Sequence, residues 1–126
     1  MPKRVLDVGN CVPDHAAIRA LVTGTFSAEV VQAHGPEDAL EALRKQPIDL
    51  VLINRKLDRD YTDGIDILRQ IKSDPAIANV PVMLITNYAD HQQSAVEAGA
   101  EYGFGKLELR TPETHEKLAR FLAPSA

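Results

Sequence analysis

Three kinds of side chain in this 126-residue sequence are of types that do chemistry: a set of closely spaced aspartates, a lone thiol and four imidazoles. Asp58, Asp60 and Asp63 stand in the stretch DRDYTDG, where carboxylates offer hard oxygen ligands of the kind a calcium loop uses. Such a loop also needs a glycine at its sixth place and a glutamate at its twelfth. Counted from Asp58, Gly64 comes one place late and the twelfth residue is Arg69. The stretch therefore reads as a solvated acidic loop whose Asp63 caps the following helix, with room for a weak divalent-ion site at most. Cys11 is the only cysteine, so it forms no internal disulfide, and no base beside it in sequence marks it as reactive. His15, His34, His91 and His115 lack metal-ligand spacing and read mostly as surface residues.

Such groups act only where secondary structure holds them. The sequence divides into short β-branched runs alternating with longer helical patterns. Residues 4–8 read as a first strand. A helix over 14–23 follows, set off by Pro13 and striped by Ile18, Leu21 and Val22. A second strand spans 28–33. Gly35, Pro36 and Glu37 open the next helix, which buries Ala39, Leu40 and Leu43 and ends at Pro47. The third strand, 49–53, is almost wholly apolar, as suits a strand covered on both faces. A helix over 64–73 carries Ile65, Leu68 and Ile71, and a fourth strand covers 80–86. A weaker helix over 90–98 stops at Gly99. A fifth strand, 101–105, precedes a helix opened by Thr111 and Pro112 that buries Leu118, Phe121 and Leu122. Asp7 falls in mid-strand on the face of Gly9, where a buried charge needs a partner the sequence does not name.

This alternation predicts an α/β fold, a five-stranded parallel sheet doubly wound with helices on both faces. Ligands of such sheets sit at the carboxyl ends of the strands, near the reversal of strand order. The residues there are Gly9, Asn10, Asn54, Thr86 and Lys106. Composition bounds the class. At 44% hydrophobic and 25% charged, the chain can build a core without a disulfide or metal. One domain is expected over 1–126, with its core at about 3–122 and a frayed tail from 123. No apolar run is long enough for a bilayer, and MPKRVLDVGN lacks the apolar stretch of a secretory signal. A cytoplasmic protein without a membrane partner is expected. A net charge of -4 and the lack of a basic run argue against nucleic acid.

Four fragments, in order, carry a family resemblance: PIDLVLIN at the third strand, DGIDILRQIK after it, VPVMLIT at the fourth and AGAEYGFGK at the fifth. With them the chain resembles a receiver domain of two-component signalling, of the CheY-like type, over nearly its whole length. The resemblance implies a flavodoxin-like fold with two acids after the first strand, a phosphoacceptor aspartate ending the third, a hydroxyl after the fourth and a lysine after the fifth. The acids would hold Mg²⁺, the acceptor carboxylate would attack phosphorus, and hydroxyl and ammonium would bind the phosphoryl oxygens.

This sequence keeps only half of that set. Thr86 and Lys106 stand at the phosphate-contact positions. The acceptor position is Asn54, and the acidic pair falls on Gly9 and Asn10. Leu107 replaces the proline that commonly follows the lysine, and the family's switch aromatic falls on Gly103. The loop from Asn54 to Gly64 is longer than the family's usual by about two residues. A neutral amide is no nucleophile for phosphoryl transfer, so phosphorylation at Asn54 is not expected; and because Gly9, Asn10 and Asn54 bring no charge where the family has three carboxylates, Mg²⁺ binding is expected to be weak or absent, with no other cofactor or metal. Lys106 then needs solvent or another anion, for which Asp58 and Asp60 are the candidates.

The expected function is that of a stand-alone pseudo-receiver, not an enzyme, which binds another signalling protein: a histidine kinase, an output protein or a scaffold. A weak homodimer is the further partner allowed. Receiver domains commonly use the face of helix four, strand five and helix five, which here offers Tyr88, His91, Gln92, Tyr102, Phe104 and Leu109. The first alternative is a working receiver phosphorylated on Asp58 or Asp60. The second is a small-ligand domain, since VLDVG resembles the opening of the S-adenosylmethionine-binding motif, though it continues without that motif's further glycines.

Overall fold

The computed structural model describes residues 2–123. Apolar runs become β1 (Arg4–Val8), β2 (Glu29–Ala33), β3 (Leu50–Asn54), β4 (Val82–Ile85) and β5 (Glu101–Phe104). The amphipathic stretches between and after them become α1 (Val12–Phe26), α2 (Pro36–Lys45), α3 (Gly64–Ser73), α4 (Ala89–Glu97) and α5 (Pro112–Leu122). The strands are all parallel in the order β2-β1-β3-β4-β5, so strand order reverses between β1 and β3. This is the doubly wound five-stranded parallel sheet that the alternation predicted, in the flavodoxin-like strand order that the resemblance implied.

Alternation along the strands builds two cores. Leu6, Val8, Val51, Ile53, Val82 and Leu84 pack on Ala39, Leu68, Ile71 and Ala95 of α2, α3 and α4. Val5, Leu50, Leu52, Met83, Ile85 and Phe104 pack on Ile18, Leu21, Val22, Leu118 and Leu122 of α1 and α5. Caps set the helix ends as the sequence indicated. Asp63 accepts a hydrogen bond from the Ile65 N–H at 3.0 Å, and Thr111 caps α5 ahead of Pro112. Helix α1 is longer than expected at both ends. Pro13 sits in its first turn, where the missing N–H costs nothing, and the helix runs on to a left-handed Ser27. Of the expected frayed tail, residues 124–126 lie outside the described residues.

The early start of α1 gives Asp7 its partner. Asp7 is fully buried on the α1 side of β1, with His15 Nδ1 2.6 Å from its Oδ2 and the Asn10 amide donating to its Oδ1. The imidazole, read from sequence as a surface group, is turned inward and its side chain is only 17% exposed. Burial holds the Asp7 carboxyl above the ordinary carboxylate range, against the opposing pull of His15 and Asn10.

Gln92 plays the corresponding part at the other end of the sheet. The β4–β5 ladder is bulged, Met83 pairing with Glu101 and Ile85 with Phe104. The Gln92 amide fills the gap. It donates to the carbonyls of Leu84 (3.0 Å) and Thr86 (3.2 Å) and accepts from the Gly103 N–H at 2.8 Å. Gly103 is pressed so close that a Cβ would lie 2.3 Å from the Leu84 carbonyl oxygen. No switch aromatic fits there.

Two outcomes test these buried groups. Gln92→Leu strands the Gly103 N–H, and chemical denaturation is expected to show a loss of about 2 kcal/mol; unchanged stability would remove Gln92 from the ladder. Asp7 takes up its proton at a higher pH in the folded chain than in the unfolded one. Its contribution to stability is therefore full below the unfolded value of about 3.9 and is lost as pH rises through the folded value. Asp7→Asn cannot ionise, so stability measured from about pH 4 upward is expected to lose that component of decline, and parallel profiles for the two proteins would contradict the assignment.

Candidate functional site

The site lies where the strand order reverses, and the loop after β3 shapes it. Leu57, in the loop between Asn54 and Gly64, is fully buried against the turn after β1. Gly9 accommodates it. Its φ is +75°, and a Cβ there would meet Leu57 Cγ at 2.4 Å. The Gly9 carbonyl accepts from the Asp58 N–H at 3.0 Å and from the Asn54 side-chain amide at 3.3 Å. That amide also donates to the Lys56 carbonyl at 2.8 Å. Both neighbours are acceptors, so an amide nitrogen suits this position and a carboxylate oxygen does not. The loop closes on itself through Leu57 N–H to the Thr62 carbonyl (3.0 Å), Tyr61 N–H to the Leu57 carbonyl (3.0 Å) and an antiparallel bridge between Lys56 and Asp63.

Beside this seal is an open cleft of about 270 Å³ between the ends of β3, β4 and β5, lined by Asn54, Arg55, Lys56, Thr86, Asn87, Tyr88, His91 and Lys106 with Ile85 at its base. Thr86 Oγ1 lies 3.1 Å from His91 Nδ1 and accepts from the Tyr88 N–H at 3.3 Å. Lys106 does not pair with Asp58 or Asp60. Its Nζ is 2.6 Å from Asp14 Oδ2, because the early first turn of α1 carries Asp14 toward the end of β5. The ammonium holds the Asp14 carboxyl below the ordinary range, helped by the Cys11 thiol, which donates to it at 3.1 Å. Asp60 is turned to its own loop, its carboxylate accepting from the Thr62 N–H at 3.0 Å.

Asn54, Thr86 and Lys106 are thus brought together, while Gly9 and Asn10 lie behind the seal. Asn10 is buried, and its Oδ1 has no hydrogen-bond partner. Asp58 and Asp60 do not line the cleft. Among the described residues, no three His, Cys, Asp or Glu side chains gather as a metal site. Sequence reasoning missed Leu57, Arg55, Lys56 and Asp14. Only Leu57 carried a signal, an aliphatic residue inside a charged loop. The expected partner face needs two corrections. Gln92 and Phe104 are 3% and 2% exposed, because one completes the bulged ladder and the other belongs to the core. Tyr88 (67%) and Tyr102 (49%) remain exposed, and His91 and Leu109 are half-buried. The Lys117 ammonium sits 4.9 Å over the Tyr102 ring and donates to the Gly103 carbonyl. Among the described residues, no helix is long and apolar enough to cross a membrane.

Comparison with known proteins agrees with this architecture. The chain is 30% identical over 108 residues to a gliding motility regulatory protein of Myxococcus xanthus, a match covering 84% of this chain and 14% of that protein. It superposes on a CheY-like receiver domain protein from Methanospirillum hungatei with a TM-score of 0.78 at 19% identity, over 97% of this chain and 94% of that one. It superposes on the signal receiver domain of a DNA-binding response regulator from Colwellia psychrerythraea with a TM-score of 0.77 at 25% identity, over 94% and 98% of the two chains. Residues 10–111 match the response regulator receiver domain as a family. With that match spanning most of its length, the chain belongs to the response regulator receiver domain family.

Proposed function

We propose that this receiver domain works in two-component signalling without phosphorylation of an aspartate, as a binding module and not as an enzyme. The observation that carries the reading is the seal at the acceptor position. Asn54 is a neutral amide tied to two carbonyls, and Leu57 occupies the space a side chain at residue 9 would need. Magnesium is usually held by one or two carboxylates. The two nearest the site are spoken for, Asp7 by His15 and Asn10, and Asp14 by Lys106. The donor set that is left does not suit the ion, and tight Mg²⁺ binding is not expected. A phosphoryl group on Asp58 or Asp60 would lie outside the cleft that holds Thr86 and Lys106. The partner we infer is another signalling protein in the cytoplasm, docking on α4, β5 and α5 through Tyr88 and Tyr102, with His91 and Leu109 at their flanks.

Intact mass after incubation with Mg²⁺ and acetyl phosphate tests the first part. No added phosphoryl group is expected here, while an ordinary receiver domain in the same buffer is labelled. A stable adduct on this chain would sink the proposal. Asn54→Asp is expected to stay unlabelled and to lose about 1–3 kcal/mol of stability at neutral pH, because its carboxylate would face two carbonyl oxygens. For the second part, Tyr88→Ala and Tyr102→Ala are expected each to weaken binding of the captured signalling partner about tenfold or more. Equal affinity in all three proteins, measured by calorimetry, would move the interface elsewhere.

A further inference from the structure

We propose that Asp7, Asn10 and His15 form a proton-operated latch, which holds the first turn of α1 against the sheet while the Asp7–His15 pair carries a proton and frees that turn when the proton is lost. The latch acts on a helix start with little to hold it. Cys11 stands at the N-cap of α1 without capping it through its side chain, Pro13 brings no N–H, and Val12 is 79% exposed. Two side-chain contacts tie the turn to the domain: His15 to Asp7 in β1, and Asp14 to Lys106 beyond β5. In the first of them Asp7 is fully enclosed. The device gives the domain an input that needs no phosphoryl group.

One proton decides the charge of the pair. A carboxylic acid beside a neutral imidazole and a carboxylate beside an imidazolium have the same net charge, and the proton has a seat at either end of the 2.6 Å contact. Losing it leaves a net negative charge in a closed space. Burial already outweighs the hydrogen bonds of His15 and Asn10 and holds the Asp7 carboxyl above the ordinary range. Asp14, the other charge acting on Asp7, is negative as well. Among the described residues, the surrounding elements bring the pair no further cation. Gln32 on β2 and Leu52 on β3 are the register neighbours of Asp7. Lys106 and the Cys11 thiol are both turned to Asp14, and His115 of α5 stacks on Phe26 at the far end of α1. Water admitted by an opened first turn is what stabilises the deprotonated pair.

Asn10 answers to the place of the proton. Its amide donates to Asp7 Oδ1, which suits a carboxylate accepting at both oxygens, and its own Oδ1 is buried without a partner. With the proton on Asp7, the amide turned over sets that orphaned oxygen against the new O–H donor. Asn10 lies between Gly9, against which Leu57 packs, and Cys11 at the start of α1, so the amide sits at the junction of seal and helix. A released first turn carries Asp14 with it, and the Lys106 pair opens in step.

The test is NMR of the full chain from about pH 4 to about pH 9. The ring nitrogens of His15 report the proton, and hydrogen exchange of the His15, Ala16 and Ala17 amides, corrected for the intrinsic rate, reports the turn. Protection of those amides is expected to fall about tenfold or more in one step, at the pH where the His15 ring signals move, with protection in α3 unchanged. The Lys106 side-chain signals are expected to follow the same step. Asp7→Asn is a neutral stand-in that accepts from His15 and donates to Asn10, and its first turn is expected to stay protected throughout. Asp14→Asn removes the neighbouring negative charge, and its step is expected at lower pH. Both variants are checked for a dispersed spectrum. A flat profile in the unaltered chain, a step at the turn that does not coincide with the His15 signals, or a step that persists in folded Asp7→Asn would overturn the latch. A phosphoryl adduct, by contrast, would sink the reading of Asn54 and leave this step in place.

Discussion

The contact between Leu57 and Gly9 sets the character of this domain. An apolar side chain from the loop after β3 lies where the turn after β1 has none, and full burial of such a side chain contributes about 1.5–3 kcal/mol. Once that contact is made, residue 9 has no space for a side chain. Its positive φ and its missing Cβ are two sides of one constraint. The same contact brings the Asp58 N–H and the Asn54 amide onto the Gly9 carbonyl. An acidic pair after β1 would be forced into a sealed space, and an acidic residue ending β3 would face the carbonyl oxygens of Gly9 and Lys56. The three neutral residues Gly9, Asn10 and Asn54 therefore belong together as one packing solution, reached through the loop after β3.

The charges near this seal have been re-paired. An aspartate buried in mid-β1 is costly without a polar partner. It finds His15 on α1, and the exposed lysine at the end of β5 pairs with Asp14 in the first turn of the same helix. The helix can serve both only because it begins at Val12, two residues before the sequence pattern placed it, with Pro13 tolerated in the opening turn. Start of helix, buried acid and rim lysine thus form one dependency. Shifting α1 by a residue would turn Asp14 and His15 by about 100° around the helix axis and lose both pairs.

These dependencies explain what was legible in the sequence. The strand and helix order, the span of α3 and the caps at Asp63 and Thr111 follow from local signals, namely periodicity, capping oxygens and glycine or proline punctuation. The neutral residues at the strand ends could likewise be read one by one. What escaped were relations between distant segments. Leu57 is a core residue only because Gly9 receives it, 48 positions away in sequence. Gln92 looks like any polar residue on an exposed helix, and its burial depends on a bulge in a strand pair that no pattern announces. Phe104 was assigned outward by analogy with the family's face, whereas strand parity carries it into the α1–α5 core with Ile85 and Met83.

The β4–β5 edge bears on how such a domain can signal at all. A switch that works by moving an aromatic side chain needs that side chain and two seats for it. Here Gly103 supplies no side chain, and the space beside it is taken by an amide held through three hydrogen bonds. What links the cleft to the outer face is shorter and polar. Thr86 touches His91, and the His91 ring meets the ring of Tyr88 edge-on with centroids 5.3 Å apart. On the outer face Tyr102 is covered by Lys117, whose ammonium also holds the Gly103 carbonyl. The cleft reaches that face through the hydroxyl and imidazole at its rim, and reaches the end of β5 through the Thr86 N–H on the Phe104 carbonyl and the Leu107 N–H on the Asn87 side chain.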